Sequence, residues 1–128
     1  TVDVPNIYIS VSHSGSVVAV AIGDERVGVD VERVHRCFDR VQSRYMSGAE
    51  AVLSDVEWWP AAVWCAKEAM YKYYGIPGGA LVGDLVVEDY DASTSIMSGR
   101  MCGREAVSIA ISCYDEYVVA VAQQAKYM

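Results

Sequence analysis

Ile7, Ile9 and Val11 alternate with Tyr8, Ser10 and Ser12, the period-2 pattern of a half-buried strand. Ser12-His13-Ser14-Gly15-Ser16 then reads as a polar turn. The run from Val17 to Ile22 reads as a fully buried strand that completes a hairpin. After the turn Gly23-Asp24-Glu25-Arg26, Val27 to Glu32 is a third strand, so the first three elements are expected to form a meander. From Arg33 to Tyr45 the period changes. Val34, Phe38, Val41 and Tyr45 recur at spacings of four, three and four and predict an amphipathic helix. Ser47 and Glu50 have the Ser-x-x-Glu spacing of a capping box. A longer helix is predicted between Pro60, suited to a first helical turn, and Gly75, suited to a C-terminal cap. Its Ala62, Cys65, Ala66, Ala69, Met70 and Tyr73 side is small enough to lie close on a sheet. Past the break at Ile76-Pro77-Gly78-Gly79, strands are predicted over 85–90, 95–102, 105–113 and 116–122, with turns at Asp91-Ala92, Gly103-Arg104 and Tyr114-Asp115. The expected fold class is α+β, an antiparallel sheet packed against a long helix.

With 128 residues, 53% of them hydrophobic, the chain is long enough to bury a core and is expected to form one domain over 1–128. Its apolar runs, Val17 to Ile22 among them, are far too short to span a membrane. The N-terminus lacks the regions of a signal peptide, so a cytoplasmic location is expected. The first residue is Thr1, so a processed or trimmed chain is expected. A net charge of -7 argues against general nucleic-acid binding, and affinity for an anion must come from a local cluster or a metal. Cys37, Cys65, Cys102 and Cys113 show no CxxC pair or zinc spacing and are expected to be reduced, buried packing residues.

The candidate chemistry starts in the third strand. In Gly28-Val29-Asp30-Val31-Glu32 the two carboxylates project from one face and the valines from the other. Two like charges in a partly buried place raise each other's pKa unless a cation or proton neutralises them, and a hard divalent ion, Mg2+ first, takes oxygen ligands. An isolated Asp-x-Glu is otherwise two solvated acids at a strand end. The Ser12–Ser16 turn offers hydroxyls, an imidazole and backbone N–H groups, which are phosphate-binding parts, although a lone turn histidine is ordinarily just solvated. On the long helix Trp64, Glu68 and Lys72 are four apart and share an edge, with Lys67 beside them; Glu68 and Lys72 equally fit a surface i,i+4 pair. Arg33, Arg36, Arg40 and Arg44 form a second stripe on the 33–45 helix, roughly 130° from its apolar one. Such a row is either a solvated face or a docking surface for an acidic protein.

Taken in order, Ser12-His13-Ser14, then Gly28-Val29-Asp30-Val31-Glu32, then Trp64-Cys65-Ala66-Lys67-Glu68-Ala69 with Lys72 and Gly75 resemble the surfactin-type 4′-phosphopantetheinyl transferases over about residues 7 to 76. The resemblance implies that the fold is one half-domain of that family. It implies transfer of the phosphopantetheine arm of coenzyme A to a serine of an apo acyl or peptidyl carrier protein, with Mg2+ as cofactor. Position by position it makes Asp30, Glu32 and Glu68 the metal ligands, and gives Ser12, His13, Lys67 and Lys72 the phosphates of coenzyme A. Glu68 or a metal-bound water is the expected base for the serine proton, with Glu50 as the alternative base, since Glu50 follows a Tyr-Met-Ser run resembling the family's Phe-Phe-Ser; Lys72 is a further catalytic candidate. Lysines and a metal at that place would stabilise charge on the phosphate oxygens. The arginine stripe resembles the basic helix that small holo-acyl-carrier-protein synthases present to acidic carriers.

Surfactin-type enzymes are about twice this length, with coenzyme A between two similar halves, and this chain matches the half that begins at Ser-His-Ser. The second wall is therefore expected from a homo-oligomer, a trimer or a dimer, or from residues upstream of Thr1. Two other classes stay open. A non-catalytic module would bind coenzyme A or a carrier without turnover, and a scaffold domain with structural acids would show no metal dependence.

Overall fold

A computed structural model describes residues 6–34, 42–75 and 84–125. Three strands come first, β1 (Tyr8–Ser14), β2 (Val17–Gly23) and β3 (Val27–Arg33). Two short helices follow, α1 (Gln42–Tyr45) and α2 (Gly48–Ala51), and then the long helix α3 (Trp59–Tyr74). Four strands close the chain: β4 (Leu85–Asp91), β5 (Ile96–Met101), β6 (Val107–Tyr114) and β7 (Tyr117–Gln124). The α+β class and the antiparallel second half agree with the sequence pattern. No helix among the described residues is long and apolar enough to cross a membrane.

The meander is corrected. β1 and β2 form a separate two-stranded ribbon, while β3 is an edge strand of a five-stranded sheet of order β3-β7-β6-β5-β4. Because β3 pairs with β7, Asp30 stands opposite Ala120 and Glu32 opposite Val118. Side chains alternate across a strand, so one face of β3 carries Gly28, Asp30 and Glu32 and the other Val29 and Val31. α3 lies on the first face. Its Ala62, Cys65, Ala66 and Ala69 are all buried, and they let the helix sit low on β3 and β7. Gly28 makes the approach closest. A Cβ there would fall on the Ala69 carbonyl oxygen and 2.7 Å from the Tyr73 backbone nitrogen. Gly28→Ala therefore has to push α3 off β3, and is expected to cost about 3 kcal/mol in urea unfolding. An unchanged midpoint would show that the helix yields without strain.

α3 starts and stops as its sequence dictates. Pro60 sits in the first turn, where its missing N–H is no loss, and Gly75 ends the helix in the left-handed region at φ 70°. Ser47 and Glu50 form the reciprocal capping box at α2.

The ribbon overturns the expected burial. Ser10 and Ser12 are buried, whereas Ile9, Val11, Val18, Val20 and Ile22 are all more than half exposed. The cause is the edge of β3, whose free N–H groups need acceptors. Ser10 Oγ accepts the Val29 N–H (2.9 Å) and Ser12 Oγ the Val31 N–H (3.2 Å). A buried, unpaired backbone donor costs more than an exposed isoleucine, so the hydroxyl row turns inward.

The helix predicted over 33–45 is also revised. Arg33 is the last residue of β3, helix is present at 42–45, and residues 35–41 lie outside the described residues. Of the cysteines, Cys65 is buried as expected, but Cys102 and Cys113 are exposed. Cys37 lies outside the described residues.

Candidate active site

Three elements meet at Asp30. From β1, Ser12 Oγ donates to Asp30 Oδ1 at 3.0 Å while accepting from Val31, so one hydroxyl both caps the strand edge and aims the carboxylate. From α3, Lys72 Nζ donates to the carbonyls of Val11 (3.0 Å) and Val29 (2.9 Å) and stands 3.9 Å from Asp30 Oδ1. Below it the Cys65 thiol donates to the Asp30 carbonyl at 3.1 Å and the Val118 carbonyl at 3.5 Å. Burial, with Asp30 and Glu32 nearby, pushes that thiol well above its ordinary pKa, so Cys65 is a neutral packing and hydrogen-bonding group.

Asp30 is 5% exposed and its carboxyl is pushed up to about 7. Burial is the main cause and the like charge of Glu32 the second; the bond from Ser12 and the charge of Lys72 pull the other way. Its second oxygen, Oδ2, is buried with no hydrogen-bond partner. A buried carboxylate oxygen without a donor, beside a second buried acid, fits a hard cation that takes oxygen ligands. Among the described residues no three His, Cys, Asp or Glu side chains converge tightly enough to hold a metal between them. Glu68 lies between Cys65 and Lys72 along the helix, within about 60° of both at 100° per residue. Its charge is felt at Tyr71, whose buried phenol is raised above its ordinary pKa by burial first, then by Asp84 and Glu68.

Two of the expected site residues pair with each other. Lys67 is about 200° from Cys65 around α3, so it faces away from Asp30. It is fully buried, and its Nζ meets Glu50 Oε1 at 2.9 Å and the Tyr45 carbonyl. Burial holds its ammonium below the ordinary lysine pKa, with Glu50 opposing. Glu50 is 1% exposed and satisfied on both oxygens: Oε1 accepts from Lys67 and the Ser47 N–H (2.8 Å), Oε2 from the Val87 N–H (2.7 Å). The pair ties α2, α3 and β4 together. Glu50 and Lys67 are thus paired with each other inside the fold.

His13 is corrected too. It lies in β1 rather than a turn, exposed, and on the opposite side from Ser12. Arg33 is not a helix residue; its guanidinium lies over Tyr117 (5.7 Å), donates to that hydroxyl (3.4 Å) and is 3.9 Å from Glu116. Arg44 is exposed on α1, and Arg36 and Arg40 lie outside the described residues. Sequence reasoning missed Ser10, Cys65 and Tyr71. The Ser-x-Ser period held the signal for Ser10, since it shares a face with Ser12.

The sequence matches the model of the 4′-phosphopantetheinyl transferase superfamily over residues 26–122. The chain belongs to that superfamily. Its architecture, a five-stranded antiparallel sheet under one long helix with a small ribbon, is that of a half-domain of the phosphopantetheinyl transferase fold. The match contains Asp30, Glu32, Glu68 and Lys72 and leaves Ser12 and His13 outside it, so the surfactin-type likeness is not part of what it shows. No curated protein matches the sequence.

Proposed function

We propose that the chain transfers the 4′-phosphopantetheine arm of coenzyme A to a serine hydroxyl of an apo acyl or peptidyl carrier protein. The observation that carries this reading is the buried Asp30 carboxylate, with one oxygen unpartnered and Glu32 and Lys72 beside it, in a superfamily whose activity is this transfer. In the reaction the serine oxygen bonds to the pyrophosphate phosphorus that bears the pantetheine arm. The bond from that phosphorus to adenosine 3′,5′-bisphosphate breaks, and the serine proton passes to a base. Charge on the phosphate oxygens has to be offset throughout.

Asp30 and Glu32 would hold Mg2+, with Glu68 from the facing helix as the third carboxylate; when bound, the ion supplies charge stabilisation at the pyrophosphate. Lys72 contributes a positive charge in a fixed place, because two carbonyls orient its ammonium and leave one N–H for an anion. Ser12 acts on Asp30 instead of on a phosphate. His13 is available to coenzyme A from the outer side of β1. Glu68 is the base we favour for the serine proton.

Incubation with coenzyme A, Mg2+ and a panel of apo carrier proteins, read by intact mass, tests the proposal. Gain of the arm supports it. Binding of coenzyme A with no gain on any carrier would select a non-catalytic module, and transfer undiminished by chelator would reject the metal. We assign Arg44, with Arg36 and Arg40, to carrier docking. Arg44→Glu is expected to raise the carrier KM several-fold and leave coenzyme A affinity unchanged, with the wild-type carrier KM rising with ionic strength. A carrier KM unmoved by charge reversal and salt would leave these arginines a solvated face. The active species is expected to be larger than a monomer, with coenzyme A between subunits.

A further inference from the structure

Asp30 is held by three elements that act on different parts of it. The ladder to β7 sets it opposite Ala120, and the Cys65 thiol of α3 donates to its carbonyl at 3.1 Å, so its backbone is fixed. What remains free is the carboxyl torsion, which for aspartate is broad and roughly two-fold. Ser12 of β1 takes up that freedom. Its hydroxyl oxygen accepts the Val31 N–H at 3.2 Å and its own proton goes to Asp30 Oδ1 at 3.0 Å. Oδ1 is thereby occupied, with Lys72 Nζ 3.9 Å from the same oxygen, while Oδ2 is buried without a partner.

The neighbouring serine shows what is particular to Ser12. Ser10 and Ser12 are both buried and both cap donors on the edge of β3, Ser10 Oγ taking the Val29 N–H at 2.9 Å. Two residues before Asp30 on the same face stands Gly28, which offers the Ser10 hydroxyl no side chain. Edge capping is common to the two serines. The grip on a carboxylate belongs to Ser12.

We propose that Ser12 is the positioning residue of the cation site: by holding Oδ1 it presents Oδ2 to a divalent ion, a reading that rests on Asp30 as a cation ligand in the proposed transfer. Without the hydroxyl, the Lys72 ammonium is left to draw the carboxylate in. A closed Asp30–Lys72 pair would take up both the acid that binds the ion and the lysine N–H left for an anion. One hydrogen bond thus keeps two groups available, and bonds of this kind behind a metal ligand are ordinarily worth about ten- to a hundredfold in affinity.

Manganese(II), a hard ion suited to carboxylates and visible by electron paramagnetic resonance, tests the proposal without reference to transfer, in titrations with and without coenzyme A. Ser12→Ala is expected to weaken Mn2+ binding about tenfold or more, and Ser12→Thr, which keeps the hydroxyl, to stay within about threefold of wild type. Ser10→Ala is the matched control. It leaves a β3 donor bare just as Ser12→Ala does, and should lower the urea midpoint similarly while holding Mn2+ about as tightly as wild type. Should Ser12→Ala fail to fold by circular dichroism, Ser12→Val against Ser12→Thr repeats the comparison at similar shape and strand preference, with the same loss expected of the valine. Wild-type cation affinity in the variant without a hydroxyl, an equal loss in Ser10→Ala, or a wild type that binds no Mn2+ would overturn the proposal. So would a Ser12→Ala protein whose weakness lies in coenzyme A affinity without metal, since the hydroxyl would then serve a phosphate. Mn2+ binding that depends on Ser12, with no transfer on any carrier, would leave the positioning role standing and sink the enzymatic reading. Transfer by wild type with cation affinity indifferent to Ser12 would do the reverse.

Discussion

Asp30→Asn is expected to abolish transfer and, at pH 8 without metal, to make the protein more stable. The two effects share a cause. Burial and Glu32 push the Asp30 carboxyl from 3.8 to about 7, so the folded state holds that proton more tightly than the unfolded chain does. The stability this contributes is full below about pH 3.8 and is lost as the pH rises through about 7. Above that window the fold carries an ionised carboxylate at a cost of up to about 4 kcal/mol. Asparagine keeps an oxygen for Ser12 but gives up the attraction of Lys72, so a net gain of about 1–3 kcal/mol at pH 8 is expected, and little at pH 4. Turnover should fall at least about a thousandfold, because a neutral amide cannot hold a divalent cation at a developing charge. Thermal unfolding in a magnesium titration separates the parts: wild type should gain stability with Mg2+ increasingly as the pH rises through 7, and Asp30→Asn should gain none. Equal magnesium stabilisation of both proteins would remove Asp30 from the cation site. A variant less stable than wild type at pH 8 would mean that Lys72 outweighs burial.

What was legible in the sequence was local. The Pro60 start, the Gly75 stop and the Ser47–Glu50 box each depend on residues a few positions apart, and the period-2 strands after residue 84 alternate inward and outward as written. The partner of β3 was not legible, because β2 is its neighbour in sequence while β7 lies some ninety residues on, and only the packed sheet decides between them. Periodicity showed that β1 has two unlike faces but not which one turns inward. That was settled by the unpaired N–H groups of Val29 and Val31, which drew Ser10 and Ser12 in and left Ile9 and Val11 out. Within the candidate site, Asp30 and Glu32 share a face of β3 as strand parity requires, and Lys72 reaches Asp30 from α3. Lys67 stands about 200° from Cys65 around α3, where it meets Glu50 and the Tyr45 carbonyl. Glu50 offered two roles in sequence, cap and base; the capping box is formed, with the carboxylate buried against Lys67.

That buried pair sets the largest expected loss of stability. Lys67→Met fills similar space but leaves Glu50, 1% exposed, with its charge unpaired, and is expected to destabilise the fold by about 3–5 kcal/mol in urea. Glu50→Gln/Lys67→Met should recover roughly half of that loss. The neutral amide keeps one oxygen for either the Ser47 or the Val87 N–H, but its NH2 group must then face the other donor. The recovery is the informative quantity, since packing alone predicts that a second substitution adds to the loss of the first. Lys67→Arg should restore little, because the guanidinium is larger and no exposed route leads out of a fully buried place. If Lys67→Met cost less than about 1 kcal/mol and still bound coenzyme A with wild-type affinity, the pair would be neither a structural tie nor a ligand contact. If it kept its stability and lost coenzyme A instead, the phosphate role expected from the lysine's place in the motif would return, and α3 would have to turn its opposite side to the substrate.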